Sequence, residues 1–167
     1  MNNVTTNLIA KQASELAPLE KGHAFEDFIV TLFNERKFIL LEWRSDKKAS
    51  NGVFPVSCTF PDLEFDSRGK YKRRFAVECK WRQGFLKGGV YWAEKYQISN
   101  YINYQNKNGI PVLVAIGIGG TPSLPEKLFV TPLDHIYMHT HVFESHLIPF
   151  KRNPKQKIDD TAQLKLF

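Results

Sequence analysis

A run of nine residues, from Ile110 to Ile118, constrains the fold more than any other feature of this 167-residue chain. The run is apolar and rich in β-branched side chains, and such a run is typical of a strand that is covered on both faces. A membrane-spanning helix needs roughly 20 apolar residues, so the run is far too short to cross a bilayer. The sequence therefore predicts a sheet strand with further layers of structure on both sides.

Other patterns predict the elements that form those layers. Apolar side chains recur with helical spacing across Leu19–Arg36; they are Phe25, Phe28, Ile29, Leu32 and Phe33. Further predicted elements are a strand at Phe38–Trp43, a helix at Tyr91–Asn106 and a strand at Leu128–Thr131. This order of elements predicts an α/β fold in which a central mixed β-sheet is flanked by helices.

A predicted β-hairpin carries a small group of charged residues. Its strands are Phe60–Asp66 and Tyr71–Arg82, joined by a short polar turn. Because side chains alternate across a strand, Asp62, Glu78 and Lys80 are expected on one polar face, with Glu78 and Lys80 about 7 Å apart along the strand. Two neighbouring carboxylates suit Mg²⁺, which prefers oxygen ligands. A metal ion held there would activate water for phosphodiester hydrolysis.

Ordinary structural roles for these residues stay open at this point. Glu78 and Lys80 also fit a solvated ion pair on an exposed sheet face, although the flanking helices predict that this sheet is covered. The neighbouring acids Glu64 and Asp66 are expected to be surface residues of their strand. Cys79 is expected to face the core as a small buried side chain.

The hairpin resembles a known nuclease signature. Pro61-Asp62, followed sixteen positions after the aspartate by Glu78-Cys79-Lys80, resembles the motif of the PD-(D/E)XK nuclease superfamily. The order of predicted elements is also similar to that superfamily's restriction-endonuclease-like core. The resemblance covers about residues 19–131.

Two further motifs extend the resemblance. Glu26 in the first predicted helix lies where the superfamily often carries an additional acid. Gln97 and Tyr101, one helical turn apart, resemble the Q-x-x-x-Y motif of the RecB-like branch. The resemblance implies that all three residues contribute to the catalytic site. Their alternative roles are those of ordinary helix-surface and core residues.

The resemblance also implies a chemistry. Members of the PD-(D/E)XK superfamily depend on Mg²⁺ or Mn²⁺. The metal ligands that the resemblance implies here are Asp62, Glu78 and the carbonyl of Cys79. Lys80 is the implied catalytic lysine. The implied activity is the hydrolysis of DNA phosphodiester bonds in repair, recombination or restriction.

Positive charge is concentrated on the predicted hairpin. The formal net charge of the chain is +6, and such a balance suggests a polyanionic partner. The residues predicted to contact DNA phosphates are Lys70, Lys72, Arg73, Arg74 and Arg82. A basic strand edge also blocks unwanted strand pairing, so that alternative stays open.

Three segments are predicted along the chain. They are a polar leader at residues 1–18, a PD-(D/E)XK nuclease-like domain at 19–150 and a basic tail at 151–167. The end of the tail resembles the peptide with which bacterial repair and replication proteins bind the sliding clamp; the matching residues are Gln163, Leu164, Leu166 and Phe167. The alternative is that these apolar residues fold back onto the domain.

A metal-dependent DNA nuclease is therefore the main hypothesis. One alternative is a nucleic-acid-binding module on the same fold that does not cleave, and another is a protein-interaction subunit of a larger complex. Cleavage of both DNA strands by so short a chain suggests a homodimer. The N-terminus shows no secretory signal, which predicts a cytoplasmic protein without membrane association.

Overall fold

The computed structural model describes residues 17–44, 59–70 and 72–166. The helices are α1 (Pro18–Leu32), α2 (Lys95–Asn108) and the short α3 (Glu144–Leu147). The strands are β1 (Phe38–Trp43), β2 (Leu63–Ser67), β3 (Arg74–Arg82), β4 (Gly89–Tyr91), β5 (Val112–Ile118), β6 (Lys127–Pro132), β7 (His141–Phe143) and β8 (Lys151–Arg152). Short 3-10 turns lie at Leu133–His135, Ile148–Phe150 and Thr161–Leu164.

Six of these strands form one mixed sheet in the order β1-β2-β3-β5-β6-β8. Strands β3 and β5 are parallel, and the other neighbouring pairs are antiparallel. Strands β4 and β7 pair separately as a two-stranded ribbon. The predicted fold class, a central mixed sheet flanked by helices, is confirmed.

The two longer helices cover opposite faces of the sheet. The apolar stripe of α1 packs on one face against β3 and β5, while α2 contributes Ile98, Tyr101 and Tyr104 to a second core on the other face. Every residue of β5 is buried, as the continuous apolar run predicts. Within the described ranges, no helix is long and apolar enough to span a membrane.

Gly117 in β5 allows α1 to approach the sheet closely. A Cβ atom at this position would lie 2.5 Å from the ring of Phe25, which belongs to α1, and 3.1 Å from the ring of Trp81 in β3. Real Cβ atoms do not come that close to a ring, so a larger residue would push the helix outward. The glycine therefore sets the distance between the sheet and the helix that carries Glu26.

The second helix begins later than predicted. Its first residue is Lys95, whereas the sequence pattern predicts a start at Tyr91. Tyr91 instead ends strand β4, which pairs with β7 about fifty positions along the chain. The backbone groups of residues 89–91 therefore hydrogen-bond to β7 and not within a helix.

The predicted basic tail is wrong for the part of it that the structure describes. Strand β8 extends the sheet beside β6. Ile158 forms a parallel bridge with Phe33. Helix α1 ends at Leu32, just before this bridge, and not at the predicted Arg36. Ile158 and Leu164 are each 1% exposed and belong to the core under α1. Of the predicted leader, residues 1–16 lie outside the described residues, and Pro18 opens α1.

The end of the chain folds back onto the domain, which is the alternative to a clamp-binding peptide. Leu164 is buried, Leu166 packs partly against the core, and the Gln163 side chain accepts a hydrogen bond from the Asp159 backbone N–H at 3.0 Å. A docking peptide requires accessible apolar side chains, and Leu164 is not accessible here. Phe167 lies outside the described residues.

Candidate active site

The candidate site lies where strands β2 and β3 separate. Strand β2 begins at Leu63, opposite Val77, while β3 continues to Arg82 and keeps its pairing with β5. Asp62 is the residue just before β2. Its Oδ2 accepts a hydrogen bond of 2.9 Å from the backbone N–H of Cys79, so a carboxylate takes the place that a strand carbonyl would occupy.

Glu78 and Lys80 lie on β3 at the same point. The Glu78 side chain is completely buried, and the Lys80 Nζ lies 2.7 Å from its Oε1. The alternative of a solvated pair on an exposed sheet face is therefore excluded, since the Lys80 side chain is only 15% exposed. Burying two charged groups costs desolvation free energy, so this buried pair is not explained as a contribution to stability.

Only one residue of the Gln97–Tyr101 pair reaches the carboxylates. The buried Tyr101 lies beside Glu78, and the pKa of its hydroxyl is raised, mainly by burial and then by the negative charge of Glu78. Gln97 instead accepts a hydrogen bond from the Glu94 backbone N–H at 3.0 Å and caps α2. The structure thus gives the glutamine a local role in starting the helix.

Glu26 approaches the site from α1. It is buried, and its Oε2 accepts a 2.8 Å hydrogen bond from the indole N–H of Trp43 at the end of β1. Together with Asp62 and Glu78 it lines a cleft of about 410 Å³. The remaining lining residues are Pro18, Lys21, Gly22, Cys79, Lys80, Trp81, Arg82 and Gln83.

The electrostatic environment of Cys79 shows the sign of the potential in this cleft. Burial raises the pKa of the Cys79 thiol, and the charges of Asp62, Glu26 and Glu78 raise it further, while Lys80 opposes them. A thiolate is disfavoured where the surroundings are negative. The same surroundings favour a cation.

The donor set fits a divalent cation with oxygen ligands. Asp62 and Glu78 supply carboxylates, and the backbone of Cys79 supplies a third oxygen. A strand residue offers its N–H and its carbonyl to the same side, and the Cys79 N–H faces Asp62, so its carbonyl faces Asp62 as well. Among the described residues, no three acidic, histidine or cysteine side chains are grouped to hold a metal, so Glu26 does not complete a three-carboxylate set.

The basic residues of the hairpin are placed differently from the expectation. The turn that carries Lys70, Lys72 and Arg73 is at the opposite end of the hairpin from Asp62. Arg73 lies five positions before Glu78, which is about 16 Å along a strand. The turn is therefore not adjacent to the carboxylates.

Two further basic residues are engaged within the protein. Arg74 forms an ion pair with Asp66 at 3.1 Å. Arg82 lines the cleft, but its guanidinium donates hydrogen bonds to the carbonyl oxygens of Trp81, Tyr91 and Trp92, and burial lowers its pKa. Arg82 therefore holds the backbone at the cleft wall.

Sequence reasoning missed a buried network that positions Asp62. The Arg44 backbone N–H donates to the Asp62 carbonyl at 2.7 Å, and its guanidinium donates to the Pro61 carbonyl at 3.1 Å and to Glu64 Oε2 at 2.8 Å. The Tyr104 hydroxyl donates to the same Glu64 oxygen at 2.7 Å. Glu64 is thus buried and paired, which corrects the expectation of a surface residue. The only sequence signal for this network is that Glu64 lies on the same strand face as Asp62.

This network leads to a prediction about stability. Tyr104→Phe removes one hydrogen bond to a buried carboxylate and should lower the free energy of unfolding by about 1–2 kcal/mol. Urea unfolding followed by circular dichroism measures the change. Tyr96→Phe is the matched control because Tyr96 is an exposed tyrosine of the same helix. Equal stability of the two variants would contradict the role given to Tyr104.

Comparison with solved structures supports the fold. The chain is similar to Hjc of Archaeoglobus fulgidus, a Holliday junction resolvase from an archaeal hyperthermophile, with a TM-score of 0.53 and 17% sequence identity. The match covers 78% of this chain and 93% of the resolvase. No family model and no curated protein matches the sequence. The likeness shows that this chain has the restriction-endonuclease-like fold of the resolvase.

Proposed function

We propose that this protein is a metal-dependent nuclease that hydrolyses DNA phosphodiester bonds in recombination, repair or restriction. The observation that carries the proposal is the meeting of Asp62, Glu78 and Lys80 in one cleft, at the point where β2 and β3 separate. The shared fold with a Holliday junction resolvase supports the same activity class.

Asp62, Glu78 and the Cys79 carbonyl are the proposed ligands of Mg²⁺ or Mn²⁺. When bound, such an ion polarises a phosphoryl oxygen and lowers the pKa of a coordinated water. The chain's own contribution is to hold the ligands in place. The Cys79 N–H orients Asp62, and the Lys80 ammonium group lies 2.7 Å from Glu78 Oε1.

Lys80 is the proposed catalytic cation. Its ammonium group lies in the cleft beside Glu78, where it would orient a water molecule or neutralise charge that develops on the phosphate. Glu26, held by Trp43, adds negative charge to the same cleft. Gln97 is proposed to act indirectly, by fixing the first turn of the helix that carries Tyr101.

The basic hairpin turn is proposed to bind DNA away from the point of cleavage. Its distance of about 16 Å from Glu78 is less than one helical turn of B-DNA, so a duplex held in the cleft would reach both. Lys70, Lys72 and Arg73 would then contact backbone phosphates and carry no sequence preference. Arg74 and Arg82 would act mainly through the protein contacts described above.

A cleavage assay tests the proposal. The purified protein is incubated with duplex, single-stranded and four-way-junction DNA in Mg²⁺, in Mn²⁺ and in EDTA. Product is expected with either metal and none with EDTA, and size-exclusion chromatography on the same sample reports whether the active species is a homodimer. Salt-sensitive DNA binding without product in any metal would replace the proposal with a binding module that does not cleave.

A further inference from the structure

The β4–β7 ribbon presents a row of exposed rings beside the cleft. In its register Gly89 is opposite Phe143, Val90 opposite Val142, and Tyr91 opposite His141. The two valines are buried in the core under α2. Because side chains alternate along a strand, Tyr91, His141 and Phe143 face outward, and we call these three residues the aromatic ladder.

The rings of the aromatic ladder touch one another and are held in place. The ring centroids of Tyr91 and His141 are 4.6 Å apart, and those of His141 and Phe143 are 5.2 Å apart. The His141 Nε2 hydrogen-bonds to the Leu86 carbonyl at 2.9 Å, which fixes the central ring. Gly89 makes room for it, since a Cβ there would lie 2.8 Å from the imidazole.

The outer rings are unusually accessible for aromatic side chains. Tyr91 is 51% exposed and Phe143 is 52% exposed. Such rings lose little conformational entropy on binding, because neighbouring side chains already hold them in one arrangement. The aromatic ladder is therefore a preorganised, apolar and accessible surface.

One hydrogen bond links the aromatic ladder to the candidate active site. Arg82 lines the cleft, and its Nε donates to the Tyr91 carbonyl at 3.0 Å. Exposed Lys87, in the turn that leads into β4, adds positive charge near the other end of the ribbon. A strand leaving the cleft along the ribbon would pass from carboxylates to rings, with a lysine available to its phosphates.

We propose that the aromatic ladder stacks on unpaired nucleobases of the DNA next to the bond that is cleaved. This inference rests on the proposed nuclease function and assigns its substrate class: single-stranded DNA, or branched DNA with unpaired nucleotides at the branch. Exposed aromatic side chains bind single strands by stacking on successive bases, whereas paired bases within a duplex are already stacked on each other. The position beside the cleft favours DNA over a protein as the partner of these rings.

Binding measured in EDTA tests the inference without any cleavage. Fluorescence anisotropy is recorded for a labelled single-stranded 20-mer and for the same strand in a perfect duplex. Tyr91→Ala and Phe143→Ala should each weaken binding of the single strand about tenfold and leave binding of the duplex unchanged. Tyr137→Ala is the control, because Tyr137 is an exposed tyrosine outside the aromatic ladder.

Two conservative variants separate stacking from apolar contact. Tyr91→Phe keeps a ring and should keep the affinity for the single strand, whereas Tyr91→Leu keeps apolar area without a ring and should lose it. Equal binding by the Leu and Phe variants, or unchanged single-strand binding by both alanine variants, would overturn the inference and favour a protein-binding surface. If the rings select single strands but the protein cleaves nothing in Mg²⁺ or Mn²⁺, the stacking of the aromatic ladder on unpaired bases stands and the proposed nuclease function fails.

Discussion

Glu78→Gln should reduce the rate of metal-dependent DNA cleavage by about a thousandfold. The amide keeps the size of the side chain but removes the charge that attracts a divalent ion. Loss of the ion removes several kcal/mol of transition-state stabilisation, and about 4 kcal/mol corresponds to a thousandfold in rate. Single-turnover cleavage in Mg²⁺, with protein in excess over DNA, measures the change.

Controls separate lost chemistry from lost structure. Glu35→Gln makes the same change on an exposed turn and should cleave at the wild-type rate. Asp62→Asn should also be inactive, because it removes the second carboxylate charge. Its amide oxygen can still accept the hydrogen bond from the Cys79 N–H, so the local structure should be kept. Each variant should retain DNA binding in EDTA and a cooperative thermal transition. Full cleavage by a folded Glu78→Gln protein would refute the proposed metal site.

Deletion of residues 151–167 should leave most of the protein unfolded at 25 °C. The deletion removes β8 and the two core side chains Ile158 and Leu164, which are almost completely buried. Loss of one buried Leu or Ile side chain costs about 2–5 kcal/mol. Two such losses are comparable with the whole stability of a typical domain, which is about 5–15 kcal/mol. Circular dichroism during thermal unfolding measures the outcome.

Point substitutions identify which part of the segment is responsible. Leu164→Ala alone should cost about 3 kcal/mol, whereas Lys155→Ala, at an exposed turn of the same segment, should have little effect. A truncated protein that unfolds cooperatively at the wild-type temperature would show that the segment is a dispensable tail after all.

The central layers of the fold could be predicted because their patterns are long and continuous. The apolar run of β5 and the helical stripe of α1 each repeat a single physical signal over many residues. Tyr91 and Trp92 extend the apolar pattern of α2, yet they lie outside it, because β4 pairs with a strand that no local signal announces. The last segment was misjudged because Ile158 and Leu164 are isolated apolar residues in a polar stretch, with no period to reveal that they are buried.

The candidate site divides in the same way. Alternation along β3 places Glu78 and Lys80 on one side of the strand, and the turn between the hairpin strands brings Asp62 opposite them. Arg44, Glu64 and Tyr104 were missed because their contacts join positions 20 and 40 residues apart. Such pairings arise from the packing of β1 and α2 and leave no mark on neighbouring residues.

Because Gly117 has no side chain, the packing distance between the sheet and α1 affects where Glu26 lies in the cleft. Phe25 fills the space that a Cβ would take, and Glu26 is the next residue on the same helix. An added methyl group would act as a wedge, lifting an acid away from its partners without touching any of them. Substitutions deep in the apolar interior can therefore change the geometry of the proposed active site.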